Sequence, residues 1–151
     1  MRLELTRRGD YAIRAMLALA RAEGPSPRGR PSGDGLLSVS RIAATQAIPP
    51  RILPSVMRLL MQARLVEAQM GRTGGYCLAR RADRISLLDI IEAVEGDIRR
   101  QSCILRGGPC LANGVCAVHG VFASAEAALR DSLAAATLAG AAAAQSGTMP
   151  P

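Results

Sequence analysis

Two short apolar-containing runs, LVEAQM and YCLARR, flank the glycine-rich stretch GRTGG at residues 71–75. That pattern predicts a β-hairpin. An isolated two-stranded hairpin is marginal in water, so this one must pack on other elements. Everything around it is helical in pattern. Upstream, RRGDYAIRAMLALARAE (7–23) sets Tyr11, Ala15, Leu19 and Ala22 along one face. GPSPRGRPSGDG (24–35) has no apolar period and reads as a mobile surface loop. Ser38 can cap a short helix, VSRIAATQ (39–46), that stops before AIPP.

The next helix is expected to start near Pro50, since proline suits a first turn. Ile52, Val56, Leu59, Leu60 and Ala63 fall on its apolar side, and Arg51, Ser55, Arg58 and Gln62 form a polar stripe. Pro54 lies early enough to be tolerated. After the hairpin, SLLDIIEAVE (86–95) turns Leu87, Ile90, Ile91 and Val94 inward, with Ser86 and Asp89 spaced as a capping box. From His119 a further amphipathic segment carries Phe122, Ala125, Leu129, Leu133 and Ala136. The final QSGTMPP is expected to be disordered. Three helices, a hairpin and a helix are the element order of a winged helix-turn-helix, the second and third helices reading DNA and the hairpin serving as wing.

Composition supports a mainly helical fold. Hydrophobic residues make up 49% of the 151, but only 2% are aromatic (Tyr11, Tyr76 and Phe122), too few for a usual all-β sandwich. The net charge is +7 and every basic side chain is arginine, which points to a polyanionic partner, nucleic acid before membrane. No signal-peptide pattern and no membrane-length apolar run is present, so a cytoplasmic location is expected. There, clustered cysteines bind metal or do redox work more often than they form disulfides.

Three of the four cysteines and the only histidine lie in SCILRGGPCLANGVCAVHG, spaced Cys103-x6-Cys110-x5-Cys116-x2-His119. Structural zinc sites favour tight C-x2–4-C pairs, and no C-x2-C occurs here. The longer arcs, with Gly107, Gly108, Pro109 and Gly114, suit a larger inorganic core. Iron–sulfur clusters use mainly thiolates, and histidine can replace one. A reduced cysteine set without metal is the bland alternative. Cys77, in the second hairpin strand, reads as structural.

Taken in order, MRL…DYAIRAMLALA, SVSRIAATQAIPPRILPSVMRLLMQARLV, GRTGGYCLAR, ISLLDIIEAVEG, the cysteine loop and the helix ending in TLAG resemble the IscR/NsrR/RirA group of bacterial winged-helix iron–sulfur regulators. The resemblance covers the chain to about residue 140. It implies that Cys103, Cys110 and Cys116 are cluster ligands. Two residues compete for the fourth place. His119 matches the histidine of the IscR type, which holds [2Fe–2S], and Asp10 matches an aspartate that NsrR-type proteins lend from the other subunit to [4Fe–4S]. The C-x2-H register favours His119, and so [2Fe–2S].

The expected DNA contacts are Arg51, Ser55 and Arg58 on the reading helix and Arg72 in the wing. Relatives often carry arginine immediately before the first wing glycine, whereas this chain has Met70 there and Arg72 two positions on. The expected organisation is a DNA-binding domain at 1–98, a cluster loop at 99–119, a dimerisation helix at 120–142 and a disordered tail at 143–151. The expected protein is a homodimeric regulator, a repressor by default, that binds a pseudo-palindromic operator under control of its cluster. The resemblance implies that its input is iron–sulfur status, iron, nitric oxide or redox stress. Rival readings are a metal-free or zinc-binding winged-helix regulator and a small thiol redox protein. No nucleophile–base set appears and GRTGG lacks the lysine of a phosphate-binding loop, so no enzyme is expected.

Overall fold

The computed structural model of the protein describes residues 4–22, 35–96 and 116–145. Helix α1 (Arg7–Ala22) is the central element and packs against helices α2 (Val39–Gln46), α3 (Leu53–Gln62), α4 (Leu87–Glu95) and α6 (Leu138–Gln145). Its buried residues are mostly small, with Ala12, Ala15 and Ala18 beside Met16, Leu17 and Leu19. That lets several helices approach one axis closely. Leu53, Val56, Met57 and Leu60 from α3 join Ile42, Ile48, Ile85 and Ile90 in one core. No polar side chain is fully buried among the described residues.

The local signals explain the boundaries. Ser38 accepts a hydrogen bond from the Arg41 N–H at 3.2 Å and starts α2. Ala47, at φ 51°, turns the chain out of it and seats Ile48 in the core. Ser86 and Asp89 form the full capping box of α4.

Helix α3 starts three residues later than Pro50. Pro54 has no N–H to give the Pro50 carbonyl, so the α-helical ladder cannot run back through residue 50. Residues 50–52 form a turn instead, closed by the Ile52 N–H on the Pro49 carbonyl at 3.0 Å. The register of the buried face changes with it. Leu53 and Met57 take core positions, while Ile52 stays 39% exposed. The helix ends in a Schellman pattern, Leu65 N–H to Leu60 O at 3.0 Å and Arg64 N–H to Met61 O at 2.9 Å, with Arg64 at φ 56°.

Strands β1 (Val66–Gln69) and β2 (Gly75–Leu78) pair antiparallel from Val66↔Leu78 to Gln69↔Gly75. A third segment, not visible in the sequence pattern, extends the wing. Leu37 exchanges two backbone hydrogen bonds with Tyr76, at 3.0 and 2.8 Å. Gly75 makes this pairing possible, and Gly74 makes the tight turn beside it possible. A Cβ on Gly75 would lie 2.8 Å from the Leu37 backbone, and one on Gly74 would lie 2.3 Å from the Gln69 carbonyl oxygen.

The single helix expected over 120–142 is two helices. Helix α5 (Ala117–Ala135) stops at Ala136, and Thr137 pairs with Ser86 as an isolated antiparallel bridge. The Leu87 N–H bonds the Ala136 carbonyl at 2.9 Å and the Leu138 N–H bonds the Ile85 carbonyl at 2.8 Å. Thr137 then caps α6 by accepting from the Gly140 N–H at 3.1 Å. Burying Leu138 completely, together with two tertiary backbone bonds, outweighs one continued helical turn. Helix α6 therefore packs on α1 and the 3-10 turn Ala82–Arg84, within the common core.

Candidate nucleic-acid interface and cluster segment

The reading helix presents Ser55 and Arg58 on its exposed face, and Arg51 is exposed in the turn before it. The Ser55 hydroxyl donates to the Ile52 carbonyl at 2.7 Å, which leaves its lone pairs for an incoming donor. Arg72 is exposed at the wing tip. The expected stripe is thus divided. Ser55, Arg58 and Gln62 share one helical face, and Arg51 approaches from the turn.

Sequence reasoning did not single out the exposed arginines of the neighbouring elements. Arg41 is exposed in the first turn of α2, next to Ser38 and Ser40, whose hydroxyls lie 3.0 Å apart. Arg7 and Arg8, exposed at the start of α1, border a cavity of about 530 Å³ that also touches Thr6, Tyr11, Ile52, Val94 and Glu95. It brings together the start of α1, the approach to the reading helix and the end of α4. The TRR run at 6–8 was the available signal.

The end of α4 is fastened to α1. Glu95 Oε1 accepts from the Thr6 N–H at 3.0 Å and from the Thr6 hydroxyl at 2.7 Å. Thr6 in turn accepts from the Gly9 N–H at 3.2 Å, capping α1. Gly9 gives the carboxylate room, since a Cβ there would lie 2.3 Å from Glu95 Oε1.

Asp10 is engaged locally. Arg14 Nε donates to Asp10 Oδ1 at 3.0 Å, and the same guanidinium also pairs with Oδ2. Another Arg14 nitrogen donates to the Gln46 carbonyl at 3.0 Å, and the guanidinium lies 5.4 Å from the Tyr11 ring centroid. The Asp10 hydrogen bond is the chief reason that the Arg14 pKa is raised above its ordinary value. This network links α1 to the last residue of α2.

Of the cysteine-segment residues, Cys103 and Cys110 lie outside the described residues. Cys116 is the N-cap of α5, half-buried, and its side chain makes no capping hydrogen bond. His119 is exposed at the third helical position. N-cap and N3 side chains are neighbours, as in a capping box, so one turn presents a thiol and an imidazole together. A thiol and an imidazole are ligand types of iron–sulfur and zinc sites alike. Among the described residues no three His, Cys, Asp or Glu side chains converge as a metal site. Cys77 is buried in β2, as its structural reading requires.

The helix pair, the wing and the basic reading face define a winged helix-turn-helix DNA-binding regulator. The chain belongs to the Rrf2 family, described as an iron-dependent transcriptional regulator, which it matches over residues 5–144. Rv1287 of Mycobacterium tuberculosis strain H37Rv, by name an HTH-type transcriptional regulator, is 30% identical over 137 residues, 91% of this chain and 80% of the relative. The regulator IscR of Xenorhabdus nematophila is 31% identical over 122 residues, 80% of this chain and 67% of its own. The structure of CymR, the global cysteine regulator of B. subtilis, superposes with a TM-score of 0.74 at 26% identity, covering 95% of this chain and 98% of CymR. Members of this family are transcriptional regulators, not enzymes. Among the described residues no helix is long and apolar enough to cross a membrane.

Proposed function

We propose that the protein is a homodimeric repressor whose grip on a pseudo-palindromic operator is set by an iron–sulfur cluster held at the start of α5. The observation that carries this reading is the placement of Cys116 and His119 on the first turn of a helix tied to the DNA-binding body. Cys103, Cys110 and Cys116 would hold the cluster, with His119 as fourth ligand. When bound, the cluster supplies an iron centre that responds to oxidation, nitric oxide or iron supply. Asp10 is the weaker candidate, because ligation there requires Arg14 to release the carboxylate.

The chain's own contacts supply a route from that segment to the reading helices. Arg130 of α5 pairs with Glu92 of α4. Glu95 of α4 holds Thr6 at the start of α1, and Arg14 of α1 holds the end of α2. Rearranging the segment after Gly96 therefore loads the same elements that position the helix-turn-helix. The α5 helix exposes Val121 at 68% and leaves Phe122, Leu129 and Leu133 half-buried, a surface suited to pairing with a second α5. Arg51, Ser55 and Arg58 would meet the major groove and its phosphates, and Arg72 the minor groove.

Anaerobic purification is expected to give a coloured dimer that contains iron and sulfide, with the colour lost in Cys110→Ala. An iron-free, colourless protein that still binds its promoter would favour the metal-free regulator instead.

A further inference from the structure

Met70 is 96% exposed, the most exposed large apolar side chain among the described residues. It directly follows Gln69, the last paired residue of β1. Period-two alternation puts it on the same side as Val66, which is buried, but beyond the edge of the core. The tip cannot easily fold over to cover it. The Gly74 N–H bonds the Gly71 carbonyl at 3.0 Å, Gly71 sits at φ 126°, and Gly74 packs directly against the Gln69 carbonyl. The wing therefore holds a flexible thioether at the start of its tip loop, two residues from the exposed Arg72.

We propose that Met70 is a specificity-determining contact of the wing, an apolar wedge that enters the minor groove beside Arg72. This rests on the wing meeting the minor groove, as proposed above. Arg72 supplies attraction to the negative groove, and Met70 packs on the sugar walls or between base steps that part easily. A single extended side chain from a hairpin loop, not the two strands, is what a minor groove roughly 6 Å wide admits. The reading falls to one side of simple electrostatics, because Met70 releases no counterion and so contributes affinity without salt dependence.

The test uses the full-length protein, in the cluster state that binds, on a labelled duplex from its own promoter. Binding is followed by anisotropy across a salt series and DNA bending by energy transfer between the duplex ends. Met70→Ala is expected to lose about tenfold in affinity, with an unchanged salt slope and a smaller bend, while Met70→Leu retains all three. Arg72→Ala is expected to flatten the salt slope by about one counterion. If Met70→Ala matches the parent in affinity and bend while Arg72→Ala weakens binding, the Met70 assignment is overturned and the wing contact stands. If Arg72→Ala also changes nothing, the proposed wing contact fails and the assignment falls with it. A Met70→Ala protein that changes oligomeric state rather than DNA affinity also overturns it. Met70 touches no core, so equal melting temperatures of the variants are expected to exclude a folding artefact.

Discussion

Thr6 gives both its backbone N–H and its hydroxyl to a single oxygen of Glu95, 89 residues away in sequence. The contact joins the first turn of α1 to the last turn of α4, just before the chain leaves Gly96 for the cysteine segment. It costs Gly9 its side chain, because any Cβ there displaces the carboxylate.

Glu95→Ala is expected to destabilise the fold by about 1 kcal/mol, the loss of a helix-capping interaction. Gly9→Ala gains helix propensity but expels Glu95, so alone it should be close to neutral. In the Glu95→Ala background the same change has no carboxylate to expel and should stabilise by about 1 kcal/mol. Urea denaturation of the four chains checks the cycle, and strict additivity would contradict the contact.

Leu138→Ala should cost about 2–5 kcal/mol, because it empties a fully buried site where α6 returns to the body. The exposed Met70, which touches no core, should cost far less when truncated. Thermal unfolding of Leu138→Ala against Met70→Ala measures the difference. Equal effects would mean that α6 is not part of the DNA-binding core.

Arg58→Ala should weaken operator binding by about 1–3 kcal/mol and relax sequence preference if it reads a base edge. Arg51→Ala, on the turn, should weaken all sequences alike and lower the salt slope by about one. Competition binding with altered duplexes separates the two patterns.

Arg81 hydrogen-bonds Asp83, with Nε to Oδ1 at 3.0 Å, and holds its carboxyl below the ordinary 3.8. The folded chain then carries fewer protons than the unfolded chain near that pH. The contribution is therefore present above 3.8 and lost as the pH falls below it. Both groups are exposed, so the effect is small. Asp83→Asn should melt slightly below the parent near neutrality and converge with it in acid. A gap that widens in acid would contradict the pairing.

Local chemistry was legible where one residue decides the outcome. Ser38 and Ser86 mark the starts of α2 and α4, and GRTGG marks the wing. What escaped depends on partners distant in sequence. Leu37 gains a strand partner only from the distant Tyr76, and the helical period through TLAG hides a break made by Ile85 and Leu87. Pro54 was visible, but its effect on the α3 start is an absent hydrogen bond four residues earlier. On the site side, the C-x2-H spacing is consistent with Cys116 and His119 sharing one turn, whereas the Asp10–Arg14–Gln46 connection needs the fold.

The central claim is that a cluster held by Cys103, Cys110, Cys116 and His119 controls DNA affinity. The direct measurement is an anaerobic anisotropy titration of the promoter duplex with cluster-loaded protein, repeated after the cluster has been removed from the same sample. The account predicts affinities that differ by at least about tenfold, the scale of an ordinary allosteric coupling, with His119→Ala abolishing the difference. Equal affinity with and without the cluster would contradict it.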